Sequence, residues 1–152
     1  MTSFPLKIVT PDGLIFDGTA EQLIVRSSTG DVAILAGHTD YVTSLGMGRA
    51  VVVADGVRRT AACIGGMLSV VKGTVTLVPT TFEWAEKIDV ARAEAAYKRA
   101  DEMLKNPNAS ETDLKLAEAK LRRALVRKSA ASLKKHKGCL SHEPRQPFAI
   151  QF

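Results

Sequence analysis

The sequence predicts an α+β protein in which an antiparallel β-sandwich is followed by an antiparallel two-helix hairpin. Ten of the eleven glycines lie between Gly13 and Gly73, and none lies between residues 74 and 137. Charge divides the chain at nearly the same place. Residues 1–82 carry six basic and six acidic side chains, whereas residues 83–137 carry fourteen basic and nine acidic ones. Because glycine suits turns and disfavours helix interiors, the first part is predicted to be β-rich and the second helical.

Short apolar or alternating runs in the first part recur about every ten residues, a spacing typical of sandwiches and barrels. The predicted strands lie at residues 6–9, 14–16, 22–26, 32–35, 42–45, 50–54, 60–64, 67–71 and 74–78. Asp55-Gly56 favours a tight hairpin turn, because glycine takes positive φ without a Cβ clash. These runs predict a β-sandwich domain over residues 1–85.

The second part is rich in good helix formers and predicts two helices over residues 86–137. The first runs over residues 88–105 and stops at Pro107, which cannot continue a helix. Ser110 is the predicted N-cap of a second helix that extends to about residue 135. Residues 138–152 are interpreted as a disordered appendage that adds nothing to the fold.

The two predicted helices carry alanine-rich faces through which they can approach closely. These alanines are Ala91, Ala95, Ala96 and Ala100 on the first helix, and Ala117, Ala119 and Ala124 on the second. Alanine buries little area, and burial stabilises by only about 25 cal/mol per Å². We therefore expect a weakly held hairpin that can open.

Composition excludes several classes of protein. The chain has 152 residues, a net charge of +5 and 45% hydrophobic residues, as expected of a folded protein. No apolar run approaches the roughly 20 residues of a membrane-spanning helix. Lys7 interrupts residues 1–9, which do not resemble a signal peptide. Cys63 and Cys139 are predicted to be free thiols in a reducing compartment.

No arrangement of residues indicates catalysis. The sequence has no phosphate-binding loop and no dinucleotide fingerprint. His136, Cys139 and His142 are the nearest approach to a metal-binding group, but a structural zinc site usually needs four ligands. His38 is better explained as a loop histidine hydrogen-bonded to its own turn than as a proton-transfer group. We therefore expect a protein that is not an enzyme.

Five motifs, in the expected order, resemble the epsilon-subunit family of rotary ATP synthases, called delta in mitochondria. They are residues 8–18 (IVTPDGLIFDG), 30–38 (GDVAILAGH), 42–45 (VTSL), 65–70 (GGMLSV) and 88–93 (IDVARA). The resemblance covers residues 4–137 and has the same β-then-helical layout. It implies a non-catalytic subunit of the central stalk that couples gamma to the c-ring and regulates ATP hydrolysis.

The resemblance also implies a regulatory ATP site. The chain matches the family's ATP-binding pattern at Glu83, Ile88, Asp89, Arg92, Ala93, Arg99, Arg123 and Arg127. The implied ligand is ATP, with or without Mg²⁺, and no redox cofactor is implied. In a closed hairpin the four arginines would meet at the phosphates, where forked guanidinium donors suit phosphate oxygens.

The helical spacing of part of this set has its own physical interpretation. Positions 89, 92, 96 and 99 fall on one helix face, so Asp89 could accept from adenine or orient Arg92. An alternative stays open, in which Asp89 and Arg92 are only a helix-start carboxylate and its local ion pair. Basic residues on a helix are also commonly a solvated face.

The partners implied by the family are the gamma subunit, the c-ring and an acidic loop of the catalytic beta subunits. Asp31 and His38 are the candidate contacts of the sandwich with the c-ring and gamma. The implied location is peripheral, on the cytoplasmic face of a bacterial cell membrane. Eight basic residues follow Glu118 before the appendage, and such a stripe seeks an acidic partner.

The basic helices also suggest an alternative function as a nucleic-acid-binding module. Net positive charge favours it. Aromatic residues are only 5% of the chain, and between residues 83 and 137 only Trp84 and Tyr97 could stack on bases. We therefore favour the ATP synthase subunit and do not expect a nucleic-acid partner.

Overall fold

The computed structural model describes residues 2–132. Three of the sequence predictions lie outside these residues. They are the end of the second helix at residue 135, the appendage 138–152, and the trio His136, Cys139 and His142. The basic residues Lys134, Lys135 and Lys137 also lie outside the described part of the chain.

Eight strands precede two helices, which confirms the predicted α+β order. The strands are β1 Phe4–Thr10, β2 Gly13–Ala20, β3 Gln22–Ser27, β4 Gly30–Leu35, β5 Tyr41–Ser44, β6 Met47–Ala54, β7 Val57–Val71 and β8 Thr74–Trp84. A short 3-10 helix, Ala85–Lys87, leads to α1 Val90–Leu104 and α2 Glu111–Ser132. The predicted strands at residues 60–64 and 67–71 are therefore one continuous strand, β7.

The strands form a sheet in the order β2-β1-β8-β7-β6-β3-β4, and β5 also pairs with β7. The expectation of a wholly antiparallel arrangement is wrong at one place, because β1 and β8 pair in parallel. These are the first and last strands of the sandwich. No tight turn joins them, so their relative direction is not restricted by a hairpin.

The sandwich has two halves, one containing β1, β2 and β5 and the other containing β3, β4 and β6. The long strands β7 and β8 take part in both. The first half of β7 pairs with β6, and its second half pairs with β5. The change of partner occurs at Gly65-Gly66, where φ is 67° and 102°. Such angles are strained for residues with a side chain. The two glycines therefore let one strand serve both layers.

The core lies between the two halves and is filled by aliphatic and aromatic side chains. Along β1, the inward residues Phe4, Leu6 and Ile8 alternate with exposed ones, as a strand with one buried face requires. Leu68 and Val70 from one half meet Val25, Ile34 and Val52 from the other in a single hydrophobic cluster. Asp55-Gly56 takes the predicted tight turn, with φ of 52° and 73°.

The predicted helix signals are confirmed at the hairpin. The α1 helix ends before Pro107, and Ser110 Oγ accepts from the backbone N–H of Asp113 at 3.2 Å at the start of α2. The buried residues of α1 are Ala93 and Ala100, and those of α2 are Ala117, Ala124, Ala130 and Ala131. Seven residues separate Ala93 from Ala100 and Ala117 from Ala124, which keeps each pair on one face of its helix.

The predicted alanine face is wrong in part, because Ala91 and Ala95 are exposed. Each lies two residues from Ala93, which is a rotation of about 200° around an α-helix. Ala96 and Ala119 are half-buried. The seam between the helices is therefore lined by alanine, as expected, although its centre on α1 is Ala93 and Ala100.

We expect Gly66→Ala to destabilise the sandwich by more than about 3 kcal/mol, because it adds a backbone collision to a strained φ. A Cβ there would strike the carbonyl oxygen of Val78. Gly73→Ala is the matched control, since φ is 79° but the space around it is open. The control should cost about 1–2 kcal/mol. Urea unfolding measures both, and equal losses would contradict the proposed close approach.

Stability should also depend on the thiol of Cys63, a free cysteine in the core. Burial raises the pKa of this thiol from 9.0 to about 12. Above pH 9 the unfolded chain releases the proton while the native state keeps it. Between pH 9 and 12 the free energy of unfolding should fall by up to about 1.4 kcal/mol per pH unit, and below pH 9 this contribution is constant. The slope should be smaller in Cys63→Ala, whereas parallel curves for the two proteins would contradict the assignment.

Candidate functional site

The end of α2 rests on the outer surface of β7 at the base of the hairpin. Its apolar part, here called the base contact, comprises Ala62, Ile88, Ala130 and Ala131, with Val126 half-buried beside them. Ala62 alternates along β7 with the core residues Ala61 and Cys63, so its side chain faces outward. Most of these side chains are small. The helical hairpin is therefore held against the sandwich by a limited apolar area.

An ion pair lies beside the base contact. Arg127 Nε on α2 donates to Glu83 Oε1 on β8 at 3.1 Å, and Glu83 is the cross-strand partner of Ala62. The side chains are 29% exposed for Arg127 and 37% exposed for Glu83. At this exposure, solvent screening limits the pair to about 1 kcal/mol or less. The structure thus brings together two residues of the predicted ATP set, and they hold the hairpin to the sandwich.

The start of α1 uses a third residue of the set. Asp89 is the N-cap, and its Oδ1 accepts from the backbone N–H of Arg92 at 3.1 Å. A carboxylate at this position accepts from a backbone N–H that would otherwise be unpaired, and it interacts favourably with the positive end of the helix dipole. The local role considered for Asp89 is therefore real, although it acts on the backbone of Arg92.

The other predicted residues fall into two groups. Ile88 and Ala93 are buried, the first in the base contact and the second in the seam between the helices. Arg92, Arg99 and Arg123 are exposed. Arg99 borders a shallow depression with Glu102, Met103 and Asn106. Convergence of the four arginines on one ligand stays a prediction.

The two candidate partner contacts of the sandwich have local partners. Asp31 Oδ1 accepts from Arg26 Nε at 3.0 Å, across the β3–β4 pair, and both side chains are about half exposed. His38 Nδ1 donates to the carbonyl of Thr39 at 2.7 Å, and its ring lies 5.9 Å from that of Tyr41. The interpretation of His38 as a hydrogen-bonded loop histidine is confirmed.

Two cation–π contacts were not predicted. The guanidinium carbon of Arg59 lies 3.7 Å from the ring centroid of Trp84, and Lys128 Nζ lies 4.6 Å from that of Tyr97. Each joins residues that are far apart in the sequence. In the sequence, the two contacts could have been suspected only from the aromatic residues themselves, Trp84 at the end of β8 and Tyr97 on α1.

Within residues 2–132, no group of three or more histidine, cysteine, aspartate or glutamate side chains could hold a metal ion. In the same part of the chain, no helix has both the length and the apolar character needed to cross a membrane.

Comparison with known families identifies this arrangement. The family model described as the beta-sandwich domain of the ATP synthase delta/epsilon chain matches residues 3–85. The model described as the long alpha-helix domain of the same chain matches residues 86–132. The chain belongs to the ATP synthase delta/epsilon family. It is accordingly a non-catalytic subunit of an ATP synthase.

Individual relatives support this assignment. The chain is 41% identical over 135 residues to the ATP synthase epsilon chain of Ruminococcus albus, a match that covers 88% of this chain and 100% of the relative. It is 40% identical over 131 residues to the epsilon chain of Bacillus velezensis, covering 86% and 98%. The match therefore extends over almost the whole length of each epsilon chain.

Solved structures share the fold at lower identity. A chain in the cryo-EM structure of Euglena gracilis mitochondrial ATP synthase matches with a TM-score of 0.76 and 22% identity, covering 88% of this chain and 82% of that chain. A chain in the central stalk and c-ring of the Tetrahymena thermophila enzyme matches with a TM-score of 0.57 and 14% identity, covering 84% and 95%. None of these comparisons supports the nucleic-acid-binding alternative.

Proposed function

We propose that this subunit couples gamma to the c-ring through its sandwich and regulates ATP hydrolysis through a hairpin that responds to ATP. The observation that carries the regulatory part is the limited attachment of the hairpin. A few small side chains and one partly exposed ion pair hold α2 to the sandwich. An attachment of this size can be shifted by the binding energy of one ligand.

The proposed ATP site lies where α1 and α2 meet the sandwich. Glu83 at the end of β8 and Asp89 at the N-cap of α1 can contact the adenine of ATP, and the buried Ile88 and Ala93 lie next to Asp89 and in the first turn of α1. Arg92 and Arg99 on α1, with Arg123 and Arg127 on α2, supply charged donors to the phosphates. The site draws on both helices, so ATP would favour the closed hairpin.

The second proposed role of the hairpin is that of a brake. On the described part of α2 after Glu118 the charged side chains are all basic, namely Lys120, Arg122, Arg123, Arg127 and Lys128. A surface of one sign attracts a partner of the opposite sign. We propose that an acidic loop of the catalytic beta subunits binds this surface when the hairpin extends along gamma.

The sandwich has the properties that a coupling element needs. Its core is continuous across both halves, so it can transmit torque without deforming. We propose that the turn carrying Asp31 contacts the c-ring and the loop carrying His38 contacts gamma. The subunit would then lie peripherally on the cytoplasmic face of a bacterial membrane.

The ATP site is tested by isothermal titration of the intact subunit. We expect binding at millimolar ATP or below, and Arg92→Ala should weaken it by about tenfold or more through the loss of a charge-assisted phosphate contact. Arg122→Ala is the matched control, because Arg122 pairs with Glu118 within α2 at 2.7 Å and is not in the proposed site. No heat at millimolar ATP, or equal affinity in wild type and Arg92→Ala, would refute the site.

The brake is tested in the assembled enzyme by removing all residues after Glu86. Hydrolysis of ATP should rise, because the basic surface of α2 can no longer reach the catalytic subunits. Hydrolysis should also rise when Lys120, Arg122 and Lys128, the basic residues of that surface outside the proposed ATP site, are replaced by glutamine in the full-length subunit. Unchanged hydrolysis in the truncated assembly rejects the braking role and leaves the coupling role of the sandwich standing.

A further inference from the structure

Arg59 joins three segments at the exit of the sandwich. It lies on β7, its guanidinium carbon is 3.7 Å from the ring centroid of Trp84 at the end of β8, and its Nη2 donates to Glu86 Oε1 in the 3-10 helix at 2.6 Å. The planar guanidinium can stack on the indole and bind the carboxylate at the same time. One side chain therefore connects the strand exit and the segment that follows it to β7.

The surroundings of Arg59, Trp84 and Glu86 make their contacts stronger than an ordinary ion pair on the surface. Trp84 is 5% exposed and meets Phe82 edge to face at a centroid distance of 4.9 Å. Ala85 is also buried. The side chains of Arg59 and Glu86 are 36% and 31% exposed, so both are partly desolvated. The indole is thus fixed in the sandwich core and provides a firm base for Arg59.

The chain beyond Glu86 is attached differently. Lys87 and Asp89 are exposed, and Ile88 and Asp89 have extended backbone angles before α1 begins at Val90. Ile88 belongs to the base contact, whose other members include residues of α2. When α2 leaves the sandwich, Ile88 loses much of its cover, whereas the contacts of Arg59 with Trp84 and Glu86 involve neither helix.

We propose that Arg59, Trp84 and Glu86 form an anchor that stays closed when the hairpin leaves the sandwich, so that residues 87–89 are the pivot of the movement. The inference rests on the proposed function in one respect, namely that the hairpin moves. The anchor keeps the root of the moving hairpin at one place on the sandwich. Among the described residues, opening then breaks the base contact, the Glu83–Arg127 pair and the packing of α2 on β6 and the 3-10 helix, and it leaves the contacts of Arg59 in place.

Fluorescence of Trp84, the single tryptophan of the chain, tests the anchor in the full-length protein without nucleotide. Ala130→Glu releases the hairpin by placing a charge in the base contact, and faster amide exchange in α2 verifies the release. In this variant, the emission maximum, the acrylamide quenching of Trp84 and the amide exchange of residues 82–86 should equal those of wild type. A red shift with increased quenching on release would overturn the proposal.

Loss of the anchor itself should give the opposite pattern. In Arg59→Gln, quenching of Trp84 should increase, and amides of residues 84–86 should exchange about tenfold faster, since a cation–π contact and an ion pair are removed together. Arg122→Gln is the control, because it also removes a guanidinium and an ion pair, here with Glu118 within α2. Equal behaviour of Arg59→Gln and Arg122→Gln would overturn the anchor. Neither measurement uses ATP, so a failed ATP titration would reject the nucleotide site alone.

Discussion

The small size of the side chains between the hairpin and the sandwich is the constraint on which the behaviour of the molecule depends. Ala62, Ala130 and Ala131 let α2 approach β7 closely, but together they bury little apolar area. The neighbouring Glu83–Arg127 pair is partly exposed and adds little free energy. Such an attachment holds the hairpin in one place and is weak enough for the release that we propose. Larger side chains here would fix the hairpin to the sandwich.

The sandwich is built in the opposite way. Leu6, Ile8, Leu68 and Leu77 fill its interior, and β7 and β8 each run through both halves, so the two layers cannot slide apart without breaking continuous strands. Gly65-Gly66 makes this continuity achievable by bending β7 where its partner changes. Large buried side chains favour a stiff sandwich, and the small alanine contacts favour the hairpin movement that we propose. The sandwich and the hairpin therefore differ in the size of their buried side chains and, for that reason, in expected stiffness.

Local signals predicted most of the fold, whereas long-range contacts escaped prediction. The turn at Asp55-Gly56, the cap at Ser110 and the stop at Pro107 depend on neighbouring residues, and each lies where expected. The parallel β1–β8 pair and the continuity of β7 depend on how distant segments meet. The same distinction holds at the site. The family resemblance supplied the proposed ATP set, and helix spacing only related Asp89, Arg92 and Arg99 to one face. The Glu83–Arg127 pair and the stacking of Arg59 on Trp84 join segments 44 and 25 residues apart, beyond the reach of either signal.

The Glu83–Arg127 ion pair limits the ways in which ATP binding could be coupled to closure of the hairpin. If the arginines of the two helices met with no counter-charge, their repulsion would oppose closure, and ATP would act mainly by neutralising it. The Glu83 carboxylate already neutralises Arg127, so part of that repulsion is removed within the chain. A ligand shifts a two-state equilibrium only by the difference in its affinity for the two states. In the proposed function, the coupling therefore comes from contacts that the exposed Arg92, Arg99 and Arg123 would make with phosphate in the closed state and lose in the open one.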